Sequence, residues 1–257
     1  MCGKASVSSL AWKDIYAWAN LLVPPDGLPE DPETRINISP SRIPRRSEPD
    51  VVTWETLPAT VAQPNQDTCW SGDATWPFLP PWSGGSLPIL KNGKLLSTAN
   101  ARLRHDDSPF APTFMPAWKS QRRAVVWVSW FYEFDGRTHP KVPYAVFPLG
   151  LPFWPMAALA SAAKDGQPPS VAIITVEPNR VLQSVGHHRS PALLQTPEEV
   201  RAWLQGPPET ALSLLRPYPD EEMGVETVPM AIKIPGNQDV PLPEPLVHHP
   251  QGFRPLS

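Results

Sequence analysis

The sequence has few cysteines, few charged residues and no long apolar run. Its 257 residues include two cysteines, Cys2 and Cys69, which cannot build a disulfide framework. Charged residues make up 18% of the chain and the net charge is -3, so the strongly basic balance of many nucleic-acid-binding proteins is missing. No apolar run approaches the roughly 18 residues of a membrane span, and no signal segment opens the chain. We expect a soluble, cytoplasmic protein with no membrane contact.

Several other sequence signals are also absent. There is no internal repeat, no glycine-rich phosphate loop and no CxxC pair. The pair His187-His188 is a weak metal signal, because adjacent histidines on an extended chain point to opposite sides and no third ligand is nearby. We therefore expect no metal and no cofactor, and a monomer.

Proline and tryptophan, by contrast, are abundant, with 37 prolines and 11 tryptophans. Tryptophan is rare in disordered chains, so this composition favours a compact core with proline-stiffened loops. Several aromatic residues lie among prolines and glycines, and Trp82 is one of them. Such residues either pack under loops or provide stacking platforms for unpaired bases.

The strongest strand pattern runs from Arg122 to Phe134 and stops at Asp135-Gly136. Residues 143–147 follow as its antiparallel partner. Glu133 interrupts the apolar run, so it lies either on a solvent face or buried where a carboxylate can transfer protons. Helices are predicted at 8–22, 180–185, 196–204 and 209–215, and further strands at 35–39, 51–54, 154–160, 170–176 and 225–234.

These elements predict an α+β fold in a single domain. Its core would be a curved, mostly antiparallel β-sheet, barrel-like in form, with a few peripheral helices. The domain would span residues 1–235, followed by a proline-rich C-terminal tail at 236–257.

The start of the chain offers unusual chemistry if Met1 is removed, which a small second residue permits. Cys2 would then carry an amine and a thiol, with reference pKa values of about 8 and about 8.5. Such an aminothiol can attack its own acyl bond, as in N-terminal-nucleophile hydrolases. It can also condense with an aldehyde, first to an imine and then to a thiazolidine ring. Met1-Cys2 alone does not separate these roles from a cysteine with no role.

Five motifs, taken in order, make the chain resemble the SRAP family, the SOS-response-associated peptidase or abasic-site-processing family. The resemblance covers nearly all of residues 1–235. The matching segments are Met1-Cys2-Gly3-Lys4, Arg35 to Pro40, Asn100-Ala101-Arg102, Arg122 to Phe134, and His187 to Pro191.

The resemblance implies a DNA-damage protein whose partner is single-stranded DNA containing an abasic site. Cys2 would attack the sugar aldehyde and close a thiazolidine. Glu133 would move protons around the amine and imine, His187 would protonate the sugar ring oxygen, and Asn100 would hold the amine or the ring. The DNA contacts implied are those of Lys4, Arg102, Arg104, Arg122, Arg123, Arg189 and Trp82.

The chain also departs from the family pattern. Lys4 replaces an arginine, which keeps the charge but loses the bidentate fork. Arg104-His105 replaces a Glu-Thr pair, and His188 replaces an acidic residue. Two alternatives to abasic-site crosslinking therefore stay open. One is an N-terminal-cysteine peptidase or amidohydrolase with a non-DNA substrate, and the other is a non-catalytic DNA-binding descendant.

Taken singly, the proposed catalytic side chains have ordinary explanations. Glu133 suits a solvated strand, His187 a loop and Asn100 a turn. Together with Cys2, however, they supply the nucleophile, carboxylate, imidazole and carboxamide that imine chemistry on a sugar needs. The sequence therefore predicts that these four residues converge in one cleft.

Overall fold

The computed structural model describes residues 3–40, 45–48, 51–63, 66–163 and 166–247. This part of the chain contains fourteen strands. They are β1 (Ala5–Val7), β2 (Arg35–Ile38), β3 (Arg45–Glu48), β4 (Val51–Thr53), β5 (Thr56–Ala62), β6 (Cys69–Thr75), β7 (Asn100–Arg102), β8 (Arg123–Val128), β9 (Trp130–Phe134), β10 (Pro143–Pro148), β11 (Trp154–Ala160), β12 (Val171–Val176), β13 (Ser190–Pro191) and β14 (Met223–Thr227).

Two mostly antiparallel sheets form the core. The first has five strands in the order β14-β10-β9-β1-β2. The second has the order β13-β12-β11-β8-β5-β6, and β7 pairs with β12 in the parallel sense. Strands β3 and β4 form a separate pair. The α+β prediction is confirmed, and the core strands among the described residues form two sheets rather than a closed barrel.

Short helices surround the sheets. They are α1 (Trp12–Ala19), α2 (Met115–Lys119), α3 (Arg180–Ser184), α4 (Pro197–Gln205), α5 (Pro208–Ser213) and α6 (Glu244–Val247), with 3-10 turns at Pro81–Ser83, Asp220–Glu222 and Met230–Lys233. Among the described residues, no helix has the length and apolar character required to cross a membrane.

The predicted long strand from Arg122 to Phe134 is divided at Ser129, where the chain leaves the second sheet and enters the first. Ser129 is buried, and its N–H donates to the Ser6 carbonyl at 2.8 Å. Its hydroxyl donates to the Ser8 carbonyl at 2.9 Å and accepts from the Ser8 N–H at 2.8 Å. The first strand of the chain therefore fixes this crossing, and the prediction of one continuous strand is wrong.

The predicted cap of α4 is confirmed, whereas the predicted cap of α1 is wrong. Thr196 accepts from the N–H of Glu199 at 3.2 Å, as its capping pattern predicts for α4. Helix α1 begins at Trp12, later in the chain than the predicted Ser8 or Ser9 cap. Its first N–H, that of Trp12, donates to the Asp31 carboxylate at 2.8 Å, so the cap comes from a distant part of the sequence.

Apolar side chains pack on both faces of the first sheet. The larger cluster joins the two sheets and includes Phe131 of β9. The smaller cluster covers the opposite face, where Trp130 and Tyr132 meet the C-terminal residues Val240 and Leu246. The first sheet is therefore covered on both sides, and Glu133, which alternates with Tyr132, shares the face of Phe131.

Candidate active site

A buried carboxylate and an imidazole meet between the first sheet and the turn after α3. Glu133 lies on β9, opposite Tyr144 of β10, and is 2% exposed. Its Oε2 atom is 2.6 Å from Nε2 of His187, whose side chain is 11% exposed. The sequence leaves Glu133 either on a solvent face or buried, and in the structure it is buried.

The second ring nitrogen of His187 defines how many protons this pair holds. Nδ1 faces the backbone carbonyl of Arg189 at 3.2 Å. A carbonyl can only accept, so this hydrogen bond requires a proton on Nδ1. The contact with Glu133 then requires one further proton, on Nε2 or on the carboxylate. The pair is therefore built to share one transferable proton, which is the property of a general acid and base.

The main chain around Gly186 explains how His187 reaches Glu133. Helix α3 ends in a Schellman motif, in which the Gly186 N–H donates to the Gln183 carbonyl at 3.0 Å and the His187 N–H to the Leu182 carbonyl at 2.9 Å. Gly186 has a φ of 76°, in the left-handed region that favours glycine. Since both backbone bonds fix the turn, His187 leaves the helix end in a defined direction.

The strand that begins the chain runs beside Glu133. Ala5 of β1 pairs with Phe131 of β9, and the N–H of Tyr132 donates to the Lys4 carbonyl at 3.0 Å. Glu133 is the next residue of β9. Cys2 lies outside the described residues, so the predicted convergence of all four side chains stays a prediction.

Asn100 and Arg102 lie on β7, where Asn100 is paired with Ile173 of β12. Their side chains share one face of the strand because they are two residues apart. The side-chain oxygen of Asn100 is buried, whereas Arg102 is exposed. Arg102 lies close enough to Arg189 for its charge to contribute to lowering the pKa of that guanidinium.

Of the seven residues predicted to contact DNA, three are exposed. These are Arg102, Arg104 and Trp82, and Trp82 is 63% exposed. Arg104 forms an exposed ion pair with Asp106. Arg122 is half-buried. These four residues keep surface that a ligand can reach.

The other three are buried and bonded to the protein itself. Lys4 donates to the Asn37 side-chain oxygen at 2.8 Å and to the Ser39 hydroxyl at 2.7 Å. Arg123 donates to the Gly206 carbonyl at 2.6 Å, and Arg189 to the Glu177 carboxylate at 2.6 Å. In each of the three, burial lowers the pKa of the cationic group.

The histidine pair also differs from its predicted arrangement. The rings of His187 and His188 are nearly parallel, at 12°, with centroids 5.8 Å apart. The expectation that they point to opposite sides is wrong, because the chain bends at His188 instead of staying extended. Within the described residues, no group of three histidine, cysteine or acidic side chains is arranged to hold a metal ion.

The structure thus combines an α+β fold with a buried carboxylate–imidazole pair next to its first strand. The family model for SRAP, the SOS response associated peptidase, matches residues 1–235. The chain belongs to this family. No curated protein matches it.

Solved structures share the fold at low identity. A protein from Bordetella bronchiseptica is 17% identical with a TM-score of 0.65, over 89% of this chain and 100% of its own. A phage-related protein from the same organism is 22% identical with a TM-score of 0.59, over 94% and 100%. A protein from Bacteroides thetaiotaomicron is 20% identical with a TM-score of 0.50, over 71% and 81%.

Proposed function

We propose that this protein forms a covalent bond between Cys2 and an abasic site in single-stranded DNA. The observation that carries the proposal is the contact between Glu133 and His187, 2.6 Å apart and buried beside the first strand. Imine chemistry needs a group that can take a proton and then return it, and this pair can do both.

The reaction balances without an oxidant or a reductant. The Cys2 amine adds to the C1′ aldehyde of the open sugar and forms a carbinolamine. Loss of water from that carbinolamine gives the imine. The thiol then adds across the C=N bond and closes a five-membered thiazolidine. Overall, one aminothiol and one aldehyde give one ring and one water molecule.

Each step moves a proton that the pair can carry. With Glu133 as the carboxylate, it takes a proton from the attacking amine. With His187 as the imidazolium, it protonates the sugar ring oxygen, which opens the sugar, and later the departing hydroxyl group. Because Glu133 and His187 are buried, bulk water is excluded from these proton transfers, which strengthens the electrostatic interactions within the site. Asn100 would hold the amine or the ring in place.

The backbone tether of Cys2 supports this assignment. Lys4 is bonded to Tyr132 through its carbonyl, and two residues then remain back to Cys2. Two residues of extended chain span at most about 7 Å. We therefore propose that the nucleophile acts at the end of the β1–β9 ladder, where Glu133 lies.

For the DNA strand we propose contacts with the side chains that keep exposed surface. Arg102, Arg104 and Arg122 would bind phosphates, and Trp82 would stack on a base. Lys4, Arg123 and Arg189 are left out of this set because their cationic groups are buried in hydrogen bonds to the protein. Binding should be independent of base sequence, since phosphate and stacking contacts carry no base-specific information.

A denaturing gel tests the proposal. Protein whose intact mass shows loss of Met1 is mixed with an oligonucleotide carrying one abasic site, beside an undamaged oligonucleotide and a Cys2→Ser variant. We expect a slow covalent band with the wild-type protein and the abasic strand alone. No band from folded protein lacking Met1 would contradict the proposal. Cleavage of an amide substrate would then favour the peptidase alternative, and DNA binding without a bond the non-catalytic one.

A further inference from the structure

The turn that carries His187 is held by two residues that the motifs do not include, Asp135 and Arg137. Asp135 follows β9 directly and is 4% exposed. Its Oδ1 accepts from the Arg137 N–H at 2.8 Å and from Nε at 2.9 Å, and its Oδ2 accepts from Nη2 at 2.8 Å. The carboxylate therefore fixes the Arg137 backbone and guanidinium together.

Arg137 connects this pair to the helix that precedes His187. Its Nη2 donates at 2.7 Å to the carbonyl of Ser184, the last residue of α3. Such carbonyls have no partner within the helix, and a cation there is favourable. The end of β9 and the end of α3 are thus joined through one guanidinium group.

Gly186 packs directly against the same pair. A Cβ atom on Gly186 would overlap Asp135 Oδ1 and lie 2.8 Å from Arg137 Nε, so no other residue fits without displacing them. The residue before His187 is therefore in contact with Asp135, and the position of the turn depends on the pair.

We propose that Asp135 is a positioning residue for His187, acting through Arg137 and the Schellman turn to keep the imidazole against Glu133. The inference rests on the proposed function for its consequence in catalysis. Its structural content, a coupling between Asp135 and the position of the His187 ring, stands on the geometry of the turn.

The charged and titratable groups around His187 come from several elements. The groups that face it or lie beside it are Glu133 and Asp135 from β9 and its end, Tyr144 from β10, Arg137 from the β9–β10 connection, and His188 and Arg189 from its own turn. Hydrogen bonds from Arg137 lower the pKa of Asp135, and the charge of His187 lowers it further. The Asp135 carboxylate and the His187 imidazole are therefore close enough to interact.

Removing either partner should therefore move the His187 ring away from Glu133. Asp135→Asn removes the charged acceptor of the Arg137 hydrogen bonds. Arg137→Gln removes the bond to the Ser184 carbonyl. The Arg137 side chain is 60% exposed, and we expect this variant to fold. Glu198→Gln, on the distant helix α4, is the matched control because it breaks an exposed ion pair with Arg201.

Nuclear Overhauser contacts between the imidazole and the Glu133 side chain test the coupling without DNA. The His187 signals are assigned with a His187→Gln variant, among the six histidines of the chain. We expect the contacts to weaken in Asp135→Asn and in Arg137→Gln and to stay unchanged in Glu198→Gln. Wild-type contacts in either Asp135→Asn or Arg137→Gln would overturn the proposal.

Adduct formation supplies the second measurement. Both substitutions should slow it about ten- to a hundredfold, as expected for a catalytic group displaced by about 1 Å. Glu198→Gln should react at the wild-type rate. If the wild-type protein forms no adduct, the proposed function fails, while the Overhauser contacts still decide the role of Asp135.

Discussion

Two polar clusters in this protein are similarly buried and differ in what their protons can do. Glu133 meets His187 beside the first strand, and Arg123 meets the end of α4, where Leu204 and Gly206 offer their carbonyls. Glu133 is 2% exposed and Arg123 1%. A carbonyl cannot donate and a guanidinium does not give up its proton, so the Arg123 cluster is a fixed set of hydrogen bonds. The Glu133 cluster can exist in two proton states.

The comparison shows that a buried charge is not itself a sign of function. Arg123 also lies over the Trp203 ring, 5.9 Å from its centroid, in a packing that holds β8 to α4. Arg123 and Glu133 lie in the same motif-bearing stretch of sequence. One belongs to the proposed chemistry and the other to the fold, and the difference lies in their partners.

The largest effect is expected at Glu133. Glu133→Gln keeps the size and a hydrogen bond to His187 but removes the group that accepts a proton. We expect adduct formation to slow about 10²- to 10⁴-fold, the usual contribution of a general acid or base. Unfolding in urea should stay close to wild type. A variant that reacts at the wild-type rate would show that the two clusters do not differ in the way described.

The opposite result is expected at Arg123. Arg123→Met should lower the free energy of unfolding by about 1–3 kcal/mol, because the carbonyls of Leu204 and Gly206 are left without this donor. Adduct formation well below the unfolding transition should keep its wild-type rate. Arg180→Met is the control, since the Arg180 side chain is 91% exposed and should change stability by less than about 0.5 kcal/mol. If the folded Arg123→Met variant forms the adduct more slowly than the wild-type protein, Arg123 belongs to the active site.

A smaller effect is expected at the exposed arginines. Replacing Arg102 and Arg104 together by alanine should weaken binding to undamaged single-stranded DNA and leave stability unchanged. The slope of log affinity against log salt concentration is negative. It should become shallower by about 0.7 for each phosphate that the variant no longer neutralises. Fluorescence anisotropy at several salt concentrations measures this slope. An unchanged slope would remove these two residues from the DNA-binding surface.

The smallest effect is expected at Cys69, which is a third kind of buried polar group. Burial raises its pKa to about 11, so the folded protein holds the thiol proton more tightly than the unfolded chain. At pH 8 we expect an alkylating reagent to label Cys2 and leave Cys69 unmodified, with both labelled in denaturant. The reason is that the reactive thiolate of native Cys69 forms only as the pH approaches 11. Rapid labelling of native Cys69 would contradict this.

Much of this arrangement could be predicted from local sequence. The apolar pattern around Glu133 predicts a strand, and the capping pattern at Thr196 predicts α4, which begins at the next residue. In both cases the signal lies in adjacent residues whose own chemistry determines the result. That His187 lies near Glu133 is implied by the family resemblance instead.

Other features depend on contacts between distant residues. Strands β5 and β6 contain Pro58 and Gly72, which break the pattern of a strand. Their seven-residue pairing shows that neighbouring strands overcome this, and Gly72 leaves space for the Trp70 ring. Whether an arginine would be buried or exposed could not be predicted either. Arg123, for example, is bound by the Leu204 carbonyl, which lies 81 residues away. For the same reason, the bond from Arg137 to Ser184 has no signal in the sequence.

In the proposed reaction, Cys2 ends as a thiazolidine on the abasic sugar, with Glu133 and His187 moving the protons. Mass spectrometry of the purified adduct, with and without borohydride, distinguishes this product from an open imine. We predict a mass equal to protein plus DNA less one water, a modification that fragmentation locates at Cys2, and no change with borohydride, because the ring has no C=N bond to reduce. A modification located on a lysine, or an adduct that borohydride reduces, would contradict the account.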